Sequence, residues 1–453
     1  MNTQSVIDVL RLPALMLVLS LFIAACGGSS SGGDQPAPTP TTGTVALLFT
    51  DKPTDEFSAI KLDVVEAILI GGEGHQTLFN DVKSIDLLDL TNFNEPVVFG
   101  DVKVGTYTKL RLVIDNLELV PKNGGASIFP ALPANGKIDL LEPDGFAVLP
   151  GRTLLVEVDM DANKSIKITG AGKSGKYNFR PVVKVNFMDG GLPDKLARIE
   201  GVVDSLPADP AGSLRVCDVD IADNCVNVST DGGTSFFDNM GLGTDFGSVL
   251  VNEHVVVIGR YIVDGQDISL GALVVEIGGN AEQVKGNVVS EPLDNQFLML
   301  LDDDTDAVVE LQPGTKYFDI DGELAADAIM LGTDLEVEGV RPTKTDPADP
   351  DLIRAALIFV EAEDDEQLSG KIIEPLDTST RSFGLTAEGG GDTCVRVNTD
   401  ADILLVDEAA SEVTTGTIED LALDQNVDLF GITATDSCFD ANEVIVEIVA
   451  AAP

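Results

Sequence analysis

Four basic residues lie where they could bind an anion: Lys167, Lys176, Arg180 and Lys184. The residues that alternate with them are apolar or aromatic, and successive side chains of a β-strand point to opposite faces. If the two segments pair as a hairpin, the pattern predicts that all four cations share one exposed face. Such a face could bind an anionic polysaccharide or a lipopolysaccharide phosphate, or dock the acidic part of the same chain; the alternative is a solvated sheet face. The apolar set is Ile166, Ile168, Tyr177, Phe179 and Val183.

Catalytic chemistry has little support in the residue types. His75 and His254 are the only histidines; the first lies in a predicted turn and the second begins an apolar strand, so we expect structural roles. No nucleophile elbow, phosphate-binding loop or Cys–His pairing is present. With 76 acidic residues, a pair of carboxylates alone indicates nothing. We therefore expect no enzyme. The alternative, an envelope carbohydrate-active enzyme or its substrate-binding accessory, would need a cleft with two carboxylates at glycosidase spacing.

One stretch resembles the start of a calcium-binding loop. Asp159, Asp161 and Asn163 would supply oxygen ligands at the first, third and fifth positions of that loop. The pattern then departs from the loop, because Lys164 stands where a glycine is needed and Gly170 where a glutamate is needed. We expect these Asp and Asn side chains to hydrogen-bond to the backbone at the end of a strand.

Two acidic loops, at 302–306 and 319–323, carry the oxygen ligands that calcium prefers, but neither has complete ligand spacing. We expect solvated turns, with weak calcium binding as the alternative. A zinc site is excluded because there are two histidines and the cysteines lack the close spacing of zinc ligands. The sequence therefore predicts no cofactor.

Strands must position all of these residues. Apolar or alternating runs are separated by Gly, Asp, Asn and Pro, which is typical of antiparallel strands joined by turns. Helical periodicity is absent after the first 25 residues. The sequence predicts an all-β protein. The clearest runs are at 45–49, 60–70, 108–119, 154–158 and 176–185.

A repeat of about 85 residues divides the C-terminal part of the chain. Four landmarks recur three times in the same order: a glycine-containing opening, a V-x-V middle, a strand ending in Gly and a strand ending in Glu. A unit of this size suits a small closed barrel or sandwich, which leaves no free sheet edges. The units are 196–278, 280–363 and 365–450. Their openings lie at 199–203, 284–289 and 368–373, and their middles lie at 226–228, 309–311 and 395–397. The glycines are Gly259, Gly339 and Gly431, and the closing glutamates are Glu276, Glu361 and Glu447.

The acidic charge is concentrated in these repeats. The whole chain has 28 Lys+Arg against 76 Asp+Glu, a net charge of −48. Residues 191–453 hold 12 of the basic and 54 of the acidic residues, a net charge of −42. Such a field repels phosphate backbones, so nucleic acid is excluded as a partner. A solvated acidic surface is expected, with divalent cation binding as the alternative.

The N-terminal segment resembles a targeting signal. An apolar run at 12–25 ends in Ile23-Ala24-Ala25-Cys26 and resembles a bacterial lipoprotein signal. The run is shorter than the roughly 20 residues that cross a bilayer as a helix. The resemblance implies a signal peptide over 1–25, a lipidated Cys26 and a flexible Gly/Ser/Pro/Thr-rich tether over 26–42. It also implies the outer membrane, since Gly27 stands where an inner-membrane retention signal has Asp; the periplasmic and surface faces both stay open.

Disulfides are expected in that compartment. Beyond Cys26, four cysteines remain, and four cysteines allow three pairings. We favour Cys217 with Cys225 and Cys394 with Cys438, because each pair then lies within one repeat.

Two families resemble parts of the chain. The segments Thr50-Asp51-Lys52-Pro53, Ile85-Asp86-Leu87-Leu88-Asp89-Leu90 and Val104-Gly105-Thr106-Tyr107-Thr108-Lys109-Leu110-Arg111-Leu112 resemble domain of unknown function 4382, as do Val158–Ile166 and Tyr177–Val182. The repeats resemble domain of unknown function 5666 through their G-x-[VI] opening, V-x-V middle and glycine-terminated strand. The first resemblance implies a β-rich domain of bacterial lipoproteins and brings no activity.

The combined expectation is a string of four β domains on a lipid anchor. A β-sandwich over 43–190, immunoglobulin-like or related, precedes three small β-barrel-like repeats. The expected role is non-catalytic: a cell-envelope lipoprotein for surface binding, adhesion or assembly. The expected partners are the membrane, through the anchor, and an anionic polysaccharide or an envelope protein.

Overall fold

Strands dominate the part of the chain that the structure describes, which confirms the all-β prediction. The computed structural model describes residues 40–51, 57–122, 125–160, 165–169, 176–179, 182–208, 212–221, 223–320, 322–344, 350–361, 366–387, 390–407 and 412–448. Within these ranges, the helical elements are 3₁₀ turns of three or four residues. No helix in the described part of the chain has the length and apolar character needed to cross a membrane.

Two sheets face each other in the first domain and form the predicted sandwich. One sheet has the order β11-β8-β1-β5, in which β1 and β8 run parallel; the other has the order β7-β6-β2, with β3 and β4 both paired to β2. Alternate residues of β1, β2 and β6 meet between the sheets and are fully buried. The strands are β1 (Thr42–Thr50), β2 (Phe57–Gly71), β3 (Gly74–Phe79), β4 (Lys83–Asp86), β5 (Phe93–Lys103), β6 (Gly105–Pro121), β7 (Lys137–Val148), β8 (Thr153–Met160), β9 (Ile166–Thr169), β10 (Lys176–Phe179) and β11 (Val183–Asp189).

Each repeat closes into a five-stranded barrel, which we call barrels 1, 2 and 3. We number the five barrel strands in chain order and leave out the short strands of two to four residues. The first strand pairs with the second, the second with the third, the third in parallel with the fifth, and the fourth with both the fifth and the first. A five-stranded Greek-key barrel is the architecture of the OB-fold.

The strand bounds follow the repeat. Barrel 1 has β12 (Leu196–Ser205), β13 (Ser213–Cys217), β14 (Cys225–Ser229), β15 (Ser235–Phe237), β16 (Gly243–Thr244), β17 (His254–Asp264) and β18 (Asp267–Ile277). Barrel 2 has β19 (Ala281–Val288), β20 (Gln296–Leu301), β21 (Asp306–Asp319), β22 (Gly322–Glu323), β23 (Asp334–Val340) and β24 (Leu352–Val360). Barrel 3 has β25 (Glu366–Ile372), β26 (Ser382–Ala387), β27 (Asp392–Asp407), β28 (Glu412–Thr415), β29 (Asn426–Thr433) and β30 (Phe439–Glu447).

The glycine landmark of the repeat lies within the fourth strand of each barrel, not at its end as the sequence pattern suggested, and it has a steric cause. Gly259, Gly339 and Gly431 each mark a register shift against the fifth strand. A Cβ there would overlap a backbone carbonyl oxygen of that strand. The glycine landmark of the repeat therefore marks the bulge at which the two strands approach closely.

The sandwich and the three barrels follow one another along the chain as expected, and they are packed against one another. β28 of barrel 3 pairs in parallel with β7 of the sandwich, and β12 of barrel 1 pairs with β5. Phe430 and Ile445 of barrel 3 join the sandwich core, and Phe93 of the sandwich lies in an apolar cluster with Val256 of barrel 1 and Phe359 of barrel 2. Each barrel thus buries apolar side chains on its outer face against a neighbour, which links the domains energetically.

Candidate functional site

The hairpin that carries two of the predicted cations is present. β9 and β10 pair antiparallel. Their register puts positions 167 and 176 on the same face, as the alternation predicts. Arg180 lies outside the described residues.

Lys184 departs from the expected four-cation face. It lies on β11, opposite Asp159 of β8 and in a different sheet from the hairpin. Its Nζ donates to Asp402 Oδ2 of barrel 3 at 2.5 Å. The charge of Lys184 is therefore partly neutralised by a carboxylate that folding brings from 218 residues away.

Replacing Lys184 by Ser is expected to change the free energy of unfolding by less than about 1 kcal/mol. The reason is that the Lys184 and Asp402 side chains are 30% and 37% exposed, so water screens their attraction. Urea denaturation of both proteins measures the difference. A loss several times larger would mean that the pair holds barrel 3 in place.

Both disulfides have the pairing that the repeats favour. Cys217 is joined to Cys225, with their Cα atoms 4.0 Å apart, and Cys394 to Cys438, with 4.8 Å between Cα atoms. The first bridges the ends of β13 and β14, so it closes the loop that connects them.

Apart from Asp302 and Asp303, which line the cleft described below, the remaining sequence candidates do not assemble into a site within the described ranges. Cys26, Asp161, Asn163, Lys164 and Gly170 lie outside them. His75 and His254 are exposed. In the acidic loops, Asp303 accepts a hydrogen bond from Thr305 N and Asp319 from Gly322 N, as turns do. No cluster of three or more His, Cys, Asp or Glu side chains that could hold a metal ion occurs among the described residues.

A cleft of about 260 Å³ lies between the sandwich and barrel 2, and we call it the charged cleft. On the sandwich side, the 3₁₀ turn Leu87–Leu90 forms one wall. The Asp86 side chain caps this turn by accepting from Leu88 N, and it also accepts from Ile60 N. The cap fixes the turn so that Leu88 and Asp89 line the cleft. Other lining residues are Phe57, Lys122, Gln283, Lys285, Leu301, Asp302, Asp303, Arg341 and Glu361.

Lys285 lies at the floor of the charged cleft. Its Nζ donates to Thr91 Oγ1 at 2.7 Å and lies 3.5 Å from Glu336 Oε2 and 3.7 Å from Glu361 Oε1. Burial alone would lower the pKa of the Lys285 ammonium, but the two carboxylates raise it above its ordinary value. Lys285 therefore stays charged and links the cleft to the domain junction.

Two carboxyls of the cleft, Asp89 and Glu361, have a pKa that burial raises to about 7. For Asp89, the nearby Asp86 carboxylate also raises the pKa. Glu361 lies beside Lys285. Burial raises its pKa to about 7, against the attraction of Lys285 and with the help of Glu336. Its Oε1 is buried and accepts no hydrogen bond from the described residues. Near neutral pH this group can therefore either donate or accept a proton.

The other cations of the cleft are paired with carboxylates. Lys122 Nζ lies 3.1 Å from Asp302 Oδ2. Arg341 Nε lies 2.6 Å from Glu282 Oε1, and its guanidinium also contacts Asp351. The cations are thus held by carboxylates, and the cleft has no surplus of positive charge.

Behind the cleft, charged side chains are buried where barrels 1 and 2 meet; we call this the domain junction. Arg198 donates to both carboxylate oxygens of Glu338, at 2.9 and 3.1 Å. Glu338 is fully buried. Glu276, only 2% exposed, has two oxygens without a hydrogen bond among the described residues. Burial and the adjacent Glu338 carboxylate raise the pKa of Glu276 well above its ordinary value.

Glu336 connects the junction to the sandwich. It accepts from Asn92 Nδ2 at 2.6 Å and from Gln283 Nε2 at 2.9 Å, and its carboxyl is 1% exposed. Burial raises the pKa of Glu336, while Lys285 lowers it. The hydrogen bonds of Glu336 thus join barrel 2 to the sandwich, and those of Glu338 join barrel 2 to barrel 1.

Residues 42–181 match the model of a family. It is described as Domain of unknown function (DUF4382). The match covers the N-terminal sandwich, as the resemblance of that part predicts, and brings no activity. No curated protein matches the chain.

Of the residues of the cleft and the junction, sequence reasoning selected Asp302 and Asp303 as part of a candidate calcium loop, but it assigned no binding role to the others. Glu336 and Glu338 occupy alternate positions of β23, which looks like the polar face of an ordinary strand. The available signal was the repeat itself: its closing glutamates Glu276 and Glu361 both lie at these sites.

Proposed function

We propose that the protein is a non-catalytic lipoprotein of the bacterial outer membrane that binds a hydroxyl-rich polysaccharide in the charged cleft. The observation that carries the proposal is the cleft itself. It is a concave site of about 260 Å³ in which polar groups converge on apolar walls. Carboxylates accept hydrogen bonds from sugar hydroxyls, ammonium and amide groups donate to them, and the apolar walls can cover the C–H face of a sugar ring.

The charge of the cleft favours a neutral ligand. The charges of Asp302 and Asp303, together with the partly ionised Asp89 and Glu361 carboxyls, balance those of the three cations that line it. A polyanion would approach these carboxylates and the field of the acidic barrels, both of which repel it. The anionic polysaccharide expected from the sequence is thus the second choice, with the hairpin positions 167 and 176 as its site.

The OB-like architecture of the barrels supports the same class of ligand by analogy. Barrels of this kind bind oligosaccharides and oligonucleotides. The net charge of −48 argues against oligonucleotides. This support comes from similarity of fold alone. The proposal itself depends on the residues that line the charged cleft.

The anchor is tested at Cys26. Replacing Cys26 by Ser is expected to abolish lipid labelling and to release the protein from membranes, because no other acylated residue is expected. Two or more acyl chains give stable attachment without a protein surface. Detergent-phase partitioning of both proteins measures the effect, and unchanged partitioning of the variant would contradict a lipid anchor.

Binding is tested with the cleft variant Asp89→Asn/Asp303→Asn. The full-length mature protein is titrated calorimetrically with cellohexaose, chitohexaose and an alginate hexamer. The variant is expected to weaken binding of a neutral hexamer by tenfold or more, about 1.4 kcal/mol, since Asp303 and the partly ionised Asp89 both lose their charge as hydrogen-bond acceptors. Asp264→Asn/Asp267→Asn, in the exposed turn between β17 and β18, is the control and should bind as the wild type does. Binding of alginate alone, or equal loss in the control, would contradict the proposal.

A second candidate function, glycoside hydrolysis in the same cleft, is favoured by Glu361. A carboxyl with a pKa of about 7 can act as a general acid. Release of reducing sugar by the wild type but not by Glu361→Gln, with binding retained, would favour this candidate over a purely binding role.

A further inference from the structure

A second buried lysine lies at the contact between the sandwich and barrel 1. Lys83 Nζ is 2.8 Å from Asp218 Oδ2 and 2.8 Å from Glu95 Oε1. The Lys83 side chain is 10% exposed and that of Asp218 is 8% exposed. Apolar side chains surround the group, namely Phe99, Ile199, Val216 and Val226. An amine and a carboxyl are thus held together away from bulk water.

The two oxygens of Asp218 have different environments. Oδ1 accepts backbone N–H bonds from Asp220 at 2.8 Å and from Ile221 at 3.1 Å, whereas Oδ2 faces Lys83. Two backbone donors on one oxygen are the arrangement that stabilises an oxyanion in acyl transfer. Since a C–O bond is about 1.2 Å long, Asp218 Cγ lies within about 4 Å of Nζ. That separation is close to the roughly 3–3.5 Å of reacting atoms.

We propose that Lys83 and Asp218 form an intramolecular isopeptide bond that joins the sandwich covalently to barrel 1. Glu95 carries the proton for this reaction. The product is an amide between Lys83 Nζ and Asp218 Cγ, and one water molecule leaves. The site thus takes no external substrate, cofactor or oxidant.

Lys83, Asp218 and Glu95 together account for every proton that is transferred in the reaction. Burial alone would lower the pKa of the Lys83 ammonium, whereas Glu95 and Asp218 raise it, so the group rests as an ion pair. Nζ first passes a proton to Asp218 Oδ2, which leaves a neutral amine and a carboxylic acid. The amine attacks Cγ, the Oδ1 oxyanion is held by the two N–H groups, and Glu95 accepts a second proton from nitrogen. Glu95 then returns this proton to Oδ2, the Cγ–Oδ2 bond breaks, and water departs.

Local structure favours the reaction. The Cys217–Cys225 disulfide closes the loop that carries Asp218, and Asn224 Nδ2 donates to Val97 O of the sandwich at 3.1 Å. These contacts hold the loop against β5. The entropy of bringing the two domains together is therefore already lost before the bond forms.

The same molecule offers a control pair. Lys109 Nζ lies 2.7 Å from Asp139 Oδ2, and both side chains are also largely buried. Both oxygens of Asp139 accept from Arg111, at 2.6 and 2.7 Å, so the charged carboxylate is stabilised and neither oxygen can leave easily. We expect Lys109 to remain a free amine.

Peptide mapping of the full-length protein tests the proposal. After denaturation, reduction and alkylation, trypsin digestion is expected to yield one branched peptide that joins the segments around Lys83 and Asp218. Its mass should be the sum of the two peptides less one water, with no cleavage after Lys83 and normal cleavage after Lys109. Cleavage after Lys83 with two linear peptides would overturn the proposal, and so would a bond from Lys83 to Glu95.

Two variants test the roles. Lys83→Arg keeps the positive charge and should show no branched peptide. The main test is the mass of the wild-type peptides, so a folding defect in this variant would not affect it. Glu95→Gln should lose most of the branched species while the ion pair of Lys83 with Asp218 remains. A full yield of branched peptide in Glu95→Gln would remove Glu95 from the proposed reaction.

Discussion

Replacing Arg198 by Met is expected to lower the free energy of unfolding by about 3–5 kcal/mol. The guanidinium is the partner of both oxygens of Glu338, a carboxylate that is fully buried between barrels 1 and 2. Removing it leaves a buried carboxylate without its cation, next to the Glu276 carboxyl. Urea denaturation followed by circular dichroism measures the loss, since the chain has no tryptophan for fluorescence.

Two companion variants separate charge burial from packing. The double variant Arg198→Met/Glu338→Gln should recover most of the loss, because it removes the uncompensated charge. Lys371→Met breaks an exposed pair with Asp424 and should cost about 0–1 kcal/mol. Equal losses in the single and double variants would mean that the Arg198 side chain acts through packing alone.

Replacing Glu276 by Gln is expected to stabilise the protein at neutral and alkaline pH. The folded protein holds a proton on Glu276 that the unfolded chain has released, because the native pKa is raised by burial and by Glu338. Between the ordinary glutamate pKa of about 4.3 and the raised native pKa, the native state binds more protons than the unfolded state. Wild-type stability therefore falls as pH rises through this window.

Glutamine is neutral at every pH, so the Glu276→Gln variant lacks this pH-dependent loss of stability. We expect Glu276→Gln to match the wild type near pH 4 and to be more stable than it at pH 8, because only the wild type loses stability as pH rises through this window. Glu323→Gln, an exposed side chain, should leave the pH profile unchanged. Parallel profiles for Glu276→Gln and the wild type would show that Glu276 is already ionised in the folded protein.

The β-sandwich and the three closed barrels could be predicted because their signals are local. Alternation specifies strands, and Gly259, Gly339 and Gly431 recur because the strand crossing in each barrel has no room for a Cβ. The disulfide pairing followed from the same repeat. These features depend on residues within one domain, so a single unit contains the information.

The packing of the domains could not be predicted in this way. Glu336 and Glu338 alternate with buried valine and leucine, and such a pattern normally means a solvated face. The face is buried because Asn92 of the sandwich and Arg198 of barrel 1 supply its hydrogen bonds. Those partners are distant in sequence, and pairing between domains has no local signal.

The same reason applies to Lys184. Its place in an alternating strand indicates an exposed cation, and only the docking of barrel 3 brings Asp402 within reach. The charged cleft likewise exists because a capped turn of the sandwich meets β19 of barrel 2. Its residues have no common spacing in the chain.

Hydrogen–deuterium exchange of the full-length mature protein tests the proposed binding site most directly. In the presence of a saturating neutral hexasaccharide, we predict slower exchange of the amides at 283–285 and 301–303, which line the charged cleft, and unchanged exchange of β9 and β10. Protection confined to β9, β10 and β11, or no protection with any hexasaccharide, would contradict polysaccharide binding in the cleft.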